Sequence, residues 1–269
     1  VEGKGGNLTL RDALAHSKNP VAVRLIESVS PKKVIQLARD LGVTEEMPNE
    51  YAIALGSSDI TIYEMLGAYS SFANFGNYIK PEMVWRIEDA NGRVIKEVKN
   101  ETKEVMNEMY AYTMIDLMKG VTRFGTASGE LRRMGIPETV EIAGKTGTAQ
   151  KVKDGAYMSG NYILSFIGFL PADNPKVVVY VAIDNPKGIV QYGGTVAAPI
   201  AKAILEDSIN ALNIPKSEDA KEKNYQLWDK KYAEVPNVGN QKLSDVKGSL
   251  QKFDVQYTGS GEYILFQSP

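Results

Sequence analysis

The chain has 269 residues, with 31 Lys and Arg against 33 Asp and Glu, a formal net charge of −2, one histidine and no cysteine. That balance excludes an overall electrostatic footprint for nucleic acid, and the missing cysteine excludes thiolate metal sites, disulfides and cysteine nucleophiles. A Ser-His-Asp triad or a multi-histidine metal centre would have to be built on His16 alone, so neither is expected, and no apolar run approaches the ~18 residues of a membrane span.

The chain opens in turn-rich sequence, VEGKGGNLTL, with no signal-peptide pattern, as expected of a fragment or a processed product. Thr9 and Asp12 have capping-box-like spacing before Leu10, Ala13 and Leu14. The stretch SVSPKKVIQLARDLGV predicts a helix. Ser30 is its expected cap, Pro31 its first residue, Val34, Ile35, Leu37, Ala38 and Leu41 its inward face, and Gly42 its stop. Thr61 and Glu64 form a second capping box, with Ile62, Met65, Leu66, Tyr69, Phe72 and Ala73 expected inside and Gly76 at the end. MVWRIEDANGRVIKEV reads as a hairpin turning at Asn91-Gly92.

A further helix is expected from Asn107 to Val121, with Tyr110, Met114, Leu117, Met118 and Val121 on one side. Three strands follow in TVEIAGKTGTAQ, YILSFIGFLP and KVVVYVAID. The last two are joined by Ala172 to Pro175, a tight connection suited to antiparallel neighbours. TVAAPIAKAILEDSINAL predicts a closing helix with Ile200, Ile204 and Ile209 on its apolar side. Helices, then an antiparallel sheet, then a terminal helix make an α+β protein rather than alternating βαβ. The polar stretch from Asn213 to Lys231 reads as a linker. After it, EVPNV looks extended, Leu243 to Phe253 helical, and FDVQYTGSGEYILFQSP like strand, turn and strand. Trp85 and Trp228 read as packing residues, His16 as packing or capping, Tyr192 to Thr195 as a helix-entry turn, and residues 184–188 as a turn.

The candidate chemistry lies in AGKTGTAQ, residues 143–150. A phosphate-binding loop would need its first glycine at Thr139 and a helix after the lysine. Neither requirement is met. A strand carrying Lys145, Thr146, Gly147 and Thr148 instead offers a positive charge, two hydroxyls for a carboxylate, a close backbone approach and an N–H for an oxyanion. Its edge could also take an extended peptide. Upstream, HSKNP sets Ser17 and Asn19 in an S-x-N pattern after a helix. A serine there can relay a proton, and an asparagine can orient a carbonyl or a lysine.

S-x-N and K-T-G belong, with S-x-x-K, to the motif set of penicillin-binding proteins and related β-lactamases. The chain resembles the transpeptidase domain of penicillin-binding proteins. LRDALAHSKNPVAVRLIE, ALGSSDITIYEMLGAYSSFANFGNYIKP and MKGVTRFGTASGELRRMG are similar to class A members. The stretch from Ile142 to Pro186 is closer to class B, especially a sporulation type, and the stretch from Val235 to Pro269 resembles a PASTA domain. The implied organisation is a transpeptidase domain over 1–212, a linker over 213–232 and a partial PASTA-like domain over 233–269. The implied fold is that of penicillin-binding proteins and serine β-lactamases, an antiparallel sheet with a helical subdomain, plus a small α+β module.

The resemblance implies DD-transpeptidation of peptidoglycan through a serine acyl-enzyme. Ser17, Asn19 and Lys145 would be catalytic, and Thr146, Gly147 and Thr148 would bind the substrate. The implied partners are the stem peptide, β-lactams as covalent inhibitors of the complete enzyme, and other cell-wall synthesis proteins. No cofactor, metal or nucleic acid is implied. The implied place is the extracytoplasmic face of the bacterial membrane, held through a segment absent from this chain. The departure is S-x-x-K: residues 1–16 contain no serine. The strings at Ser30 to Lys33, Ser244 to Lys247 and Ser249 to Lys252 have structural readings. The expectation is therefore a chain without its nucleophile, inactive alone and forming no penicillin adduct. The alternative is non-catalytic recognition of wall peptides, or of a divisome or sporulation partner. A nucleotide-binding enzyme is a third, disfavoured reading.

Overall fold

The computed structural model describes residues 8–132, 140–153, 156–214, 236–251, 255–256 and 258–265. The chain divides into two compact units, Val1–Asn224 and Tyr225–Pro269. Among the described residues, no helix is long and apolar enough to cross a membrane.

The first unit is built on an antiparallel sheet of β5 (Ala143–Lys153), β6 (Ala156–Leu170) and β7 (Val177–Asp184), in that order. Alternation along β6 assigns its side chains to two faces. Phe166 and Leu170 enter a core with Val179 and with Ala197, Ala198, Ala201, Leu205 and Ile209 of α7 (Gly193–Ala211). Phe169 points the other way, to Ile115 and Met118 of α5 (Glu108–Arg123), with Tyr69 and Phe72 of α4 (Ile62–Ala73) packed alongside. The sheet is thus covered on both faces. Desolvation in this layer pushes the Tyr69 phenol up to about 12.

Three short elements open the chain: α1 (Leu10–Ala15), α2 (Asn19–Val29) and α3 (Pro31–Asp40). The capping at Thr9 is present, since Thr9 Oγ1 accepts from Asp12 N–H at 3.1 Å. The sequence reading missed α2 altogether. Ser30 stands between α2 and α3 at φ 85°, and its side chain makes no capping hydrogen bond. Its expected capping role is therefore corrected. On α3 no residue is fully buried and Leu37 is exposed, while Leu41 just beyond the helix is buried.

The Thr61–Glu64 capping box forms as expected. A short 3-10 turn (Tyr51–Leu55) precedes α4, and β1 (Asn77–Ile79) pairs with β4 (Thr102–Glu104) beyond it. The expected hairpin is β2 (Arg86–Glu88) with β3 (Val94–Glu97). Its turn is wider than Asn91-Gly92. Asp89 Oδ1 accepts from the Asn91 and Arg93 N–H groups, both at 2.9 Å, and Gly92 takes φ 79°. Trp85, expected to pack, is exposed and carries the Arg86 guanidinium over its ring. Trp228 lies outside the described residues.

Helix phase differed from expectation in three places. Tyr110 and Ile62 are exposed, and Ala111, Tyr112 and Ile115 take the inner side of α5. On α7 the alanines, not Ile200 and Ile204, face the sheet, because small side chains let the helix axis approach it closely. The expected linker start is also corrected at Ile214, which is buried in the same core. A short α6 (Ser128–Arg132) follows α5.

In the second unit, α8 (Leu243–Leu250) packs Val246 and Leu250 on Val238, with Val255 and Ile264 alongside. Lys242 and Tyr263 form an antiparallel bridge. Residue 252 of the expected helix and residues 253–254, 257 and 266–269 of the expected strand-turn-strand lie outside the described residues.

Candidate active site

Lys145 to Thr148 stand mid-strand in β5, opposite Ile167, Phe166, Ser165 and Leu164. This placement confirms the strand reading over a phosphate loop. Lys145 Nζ donates to Ser17 Oγ at 3.0 Å and to the Thr146 carbonyl at 2.9 Å. Burial lowers the Lys145 ammonium to about 8. Both acceptors are neutral, so the ammonium loses water without gaining a counter-charge, and its charged form is disfavoured.

Ser17 is held by the end of α1. Its N–H donates to Leu14 O at 3.1 Å, and the next N–H, of Lys18, donates to Ala13 O at 2.9 Å. This is a Schellman closure, with Ser17 at the position that normally takes glycine. Its φ of 52° is left-handed, an unfavourable conformation for a serine. The strain aims a hydroxyl at Lys145 where glycine would offer none. Asn19 opens α2, is exposed, and makes no side-chain hydrogen bond to another described residue. The structure therefore joins Ser17 to Lys145, while Asn19 stays near in sequence without a bond.

The threonines belong to the other side of the strand. Thr148 Oγ1 accepts from the Gly193 N–H at 3.2 Å, tying β5 to the first residue of α7. Thr146 Oγ1 lies 2.7 Å from Thr126 Oγ1. A Cβ on Gly147 would lie 2.3 Å from Ser165 Oγ, so a side chain there needs the Ser165 hydroxyl to rotate. A Cβ on Gly193 would lie 2.2 Å from Gly147 O, and one on Gly194 would lie 2.0 Å from Thr126 O. The helix entry at Tyr192 to Thr195 thus packs Gly193 directly on the sheet and Gly194 on Thr126. His16 behaves as expected of a capping residue: Nδ1 is 3.1 Å from Asp12 O and its ring is near Phe124.

Sequence reasoning missed Thr126, whose available signal was a Gly-Thr step just after a long helix. It read the paired glycines as a helix-entry turn without their contacts to β5 and Thr126. Of the downstream S-x-x-K serines, Ser244 Oγ donates to Asp245 Oδ1 and Ser249 Oγ to Val246 O. Among the described residues, Ser17 is the serine whose hydroxyl bonds Lys145.

The arrangement sets an ammonium bonded to Ser17 on one side of β5 and two hydroxyls on the other. The family model described as penicillin binding protein transpeptidase domain matches residues 2–206. Stage V sporulation protein D of Bacillus subtilis is 35% identical over 290 residues, covering 99% of this chain and 44% of that protein. Penicillin-binding protein 1A of Aquifex aeolicus is 34% identical over 203 residues, covering 74% of this chain and 25% of that protein. The chain thus spans less than half the length of these relatives. Among solved structures, penicillin binding protein 3 from Mycobacterium tuberculosis complexed with ampicillin superposes with a TM-score of 0.69 at 23% identity, over 79% of this chain and 53% of that one. A D,D-transpeptidase domain of a peptidoglycan glycosyltransferase from Eggerthella lenta gives 0.65 at 23%, over 79% and 56%. These superpositions show a common fold.

Proposed function

Because the chain belongs to the penicillin-binding protein transpeptidase domain family, we propose that its parent protein is a peptidoglycan DD-transpeptidase. The cleft beside β5 then receives the D-Ala-D-Ala end of a stem peptide. The observation that carries this reading is the 3.0 Å bond from Lys145 Nζ to Ser17 Oγ, which brings S-x-N and K-T-G together across 128 residues of sequence. In the reaction an acyl-accepting serine attacks the penultimate D-Ala carbonyl and the terminal D-Ala leaves. An amine from a neighbouring stem then takes the acyl group. Ser17 and Lys145 handle the proton and the charge near the leaving group. Thr146 and Thr148 hold the terminal carboxylate, the Thr148 N–H supports the oxyanion, and Asn19 orients the substrate once it is bound.

The proposal extends to β-lactams as inhibitors of the complete enzyme and to work at the extracytoplasmic face of the membrane beside other cell-wall synthesis proteins. It also assigns residues 1–214 to the transpeptidase domain, 215–232 to a linker and 233–269 to a PASTA-like unit. This chain alone is a binding cleft rather than a catalyst, since the hydroxyls of Ser244 and Ser249 are engaged locally and Ser30 sits at a helix junction.

The test has two arms. In solution the chain should bind an N-acylated peptide ending in D-Ala-D-Ala better than the same peptide with a terminal carboxamide. Equal binding would count against the cleft assignment. Incubation with a labelled penicillin, followed by intact-mass measurement, should show unmodified chain; a stoichiometric adduct would overturn the binding-only reading.

A further inference from the structure

Thr126 belongs to none of the motifs that identify the cleft, yet it meets three of its walls. Its N–H donates to Ala15 O at 3.0 Å, two residues before Ser17, and the following N–H, of Ala127, donates to Val121 O at 3.1 Å. Its carbonyl lies so close to Gly194 that any Cβ there would overlap it. Its side chain is exposed, and its Oγ1 lies 2.7 Å from Thr146 Oγ1. The backbone is clamped while the hydroxyl stays at the cleft surface.

We propose that Thr126 is a positioning residue for the ligand carboxylate, acting by orienting the hydroxyl of Thr146. This rests on the reading of the cleft as a D-Ala-D-Ala site. A hydroxyl carries one proton. When Thr146 donates its proton to a carboxylate, its oxygen is free to accept, and the donor within reach is Thr126. The chain from the Thr126 hydroxyl to the Thr146 hydroxyl to the carboxylate is then polarised along its length. Without Thr126, the Thr146 hydroxyl rotates among its staggered positions and loses this support.

The experiment is an NMR titration of the full chain with an N-acetylated D-Ala-D-Ala peptide and with its C-terminal carboxamide. Thr126→Val, which keeps the shape and removes the hydroxyl, should weaken the carboxylate peptide roughly three- to tenfold and leave the carboxamide unchanged. Thr126→Ser should restore the preference. Should Thr126→Val not fold, Thr126→Ala carries the same comparison. Unchanged carboxylate affinity in the variant, or equal loss for both peptides without rescue by serine, overturns the proposal. A second measurement needs no ligand: three-bond couplings from the Thr146 methyl report its side-chain rotamer. They should indicate one rotamer in the native chain and averaging in Thr126→Val; identical couplings overturn the positioning role. If the native chain binds both peptides alike, the D-Ala-D-Ala reading fails, and the couplings still decide whether Thr126 orients Thr146.

Discussion

Glu64 and Lys145 are both charged side chains set among threonines, and the protein surrounds them in opposite ways. Glu64 accepts five hydrogen bonds, from the N–H and hydroxyl of Thr44, the N–H of Glu45, and the N–H and hydroxyl of Thr61. Burial alone would raise its pKa, but those donors outweigh burial and hold the carboxyl at about 2. Lys145 has two neutral acceptors, and burial alone governs it. The first group is a finished knot that ties α4 to the loop after α3. The second is left with a weakened charge and one spare donor. On the proposed reading the saturated group belongs to the frame and the unsaturated one to the ligand site.

Glu64→Ala should break the knot and leave the cleft alone. It leaves the Thr44, Glu45 and Thr61 donors without their carboxylate and removes the N3 half of the α4 capping box, so a loss of about 3 kcal/mol is expected in urea unfolding. The ratio of carboxylate to carboxamide binding should stay unchanged. A changed ratio would show that the two regions are coupled.

Gly193→Ala tests the other side. The new Cβ would face Gly147 O and Ser165 O, two backbone atoms that cannot rotate away. Overpacking of this kind costs about 2 kcal/mol. Here the carboxylate preference should fall with stability, because α7 and β5 are forced apart at Thr148. Full preference at reduced stability would mean that the seam is structural only.

The contrast also explains what was legible in the sequence. Two caps were readable because they are local: Thr61 with Glu64 and Thr9 with Asp12 rest on bonds spanning four residues or fewer, whereas the one expected at Ser30 does not form. The strand character of residues 143–150 was readable from its surroundings. The inner faces of α5 and α7 were less so. Periodicity gives the width of an apolar stripe, whereas neighbours decide its phase, and Ala197, Ala198 and Ala201 won over Ile200 and Ile204 through close approach to the sheet. Thr126 was invisible, and Gly193 was read only as part of a helix-entry turn, because their partners, Thr146 and Gly147, are 20 and 46 residues away in the chain. Ser17 was found by motif, but its left-handed backbone was not.

That backbone yields a smaller effect of the opposite sign. Ser17→Gly places the usual residue at the Schellman position and removes the strain of a left-handed serine. It should stabilise the chain by up to about 1 kcal/mol, read from the urea midpoint, while removing the Oγ bonded to Lys145. A destabilised variant would mean that the Ser17–Lys145 bond outweighs the strain, and the cleft would then resemble the Glu64 knot more than its opposite.

The pH dependence of Lys145 draws the finest line between the two groups. Its folded-state pKa, about 8, lies below the ordinary lysine value. Between those two values the unfolded chain holds a proton that the folded chain has released. Stability therefore rises with pH through that window, by at most about 1.4 kcal/mol per pH unit, and is flat with respect to this group below it. Glu64 has the reverse sense of charge: its pKa is depressed toward the charged form, so its contribution is complete above the ordinary glutamate value and fades as pH falls toward about 2. Carboxylate binding should decline as pH passes upward through about 8, because the neutral amine no longer attracts the anion. Lys145→Met should remove the alkaline rise in stability and reduce carboxylate affinity about tenfold at neutral pH, through loss of the positive charge near the ligand. It should leave the acid limb set by Glu64 in place. If the alkaline rise survives in Lys145→Met, another group titrates there, and the neutral surroundings of Lys145 are not what separates the cleft from the frame.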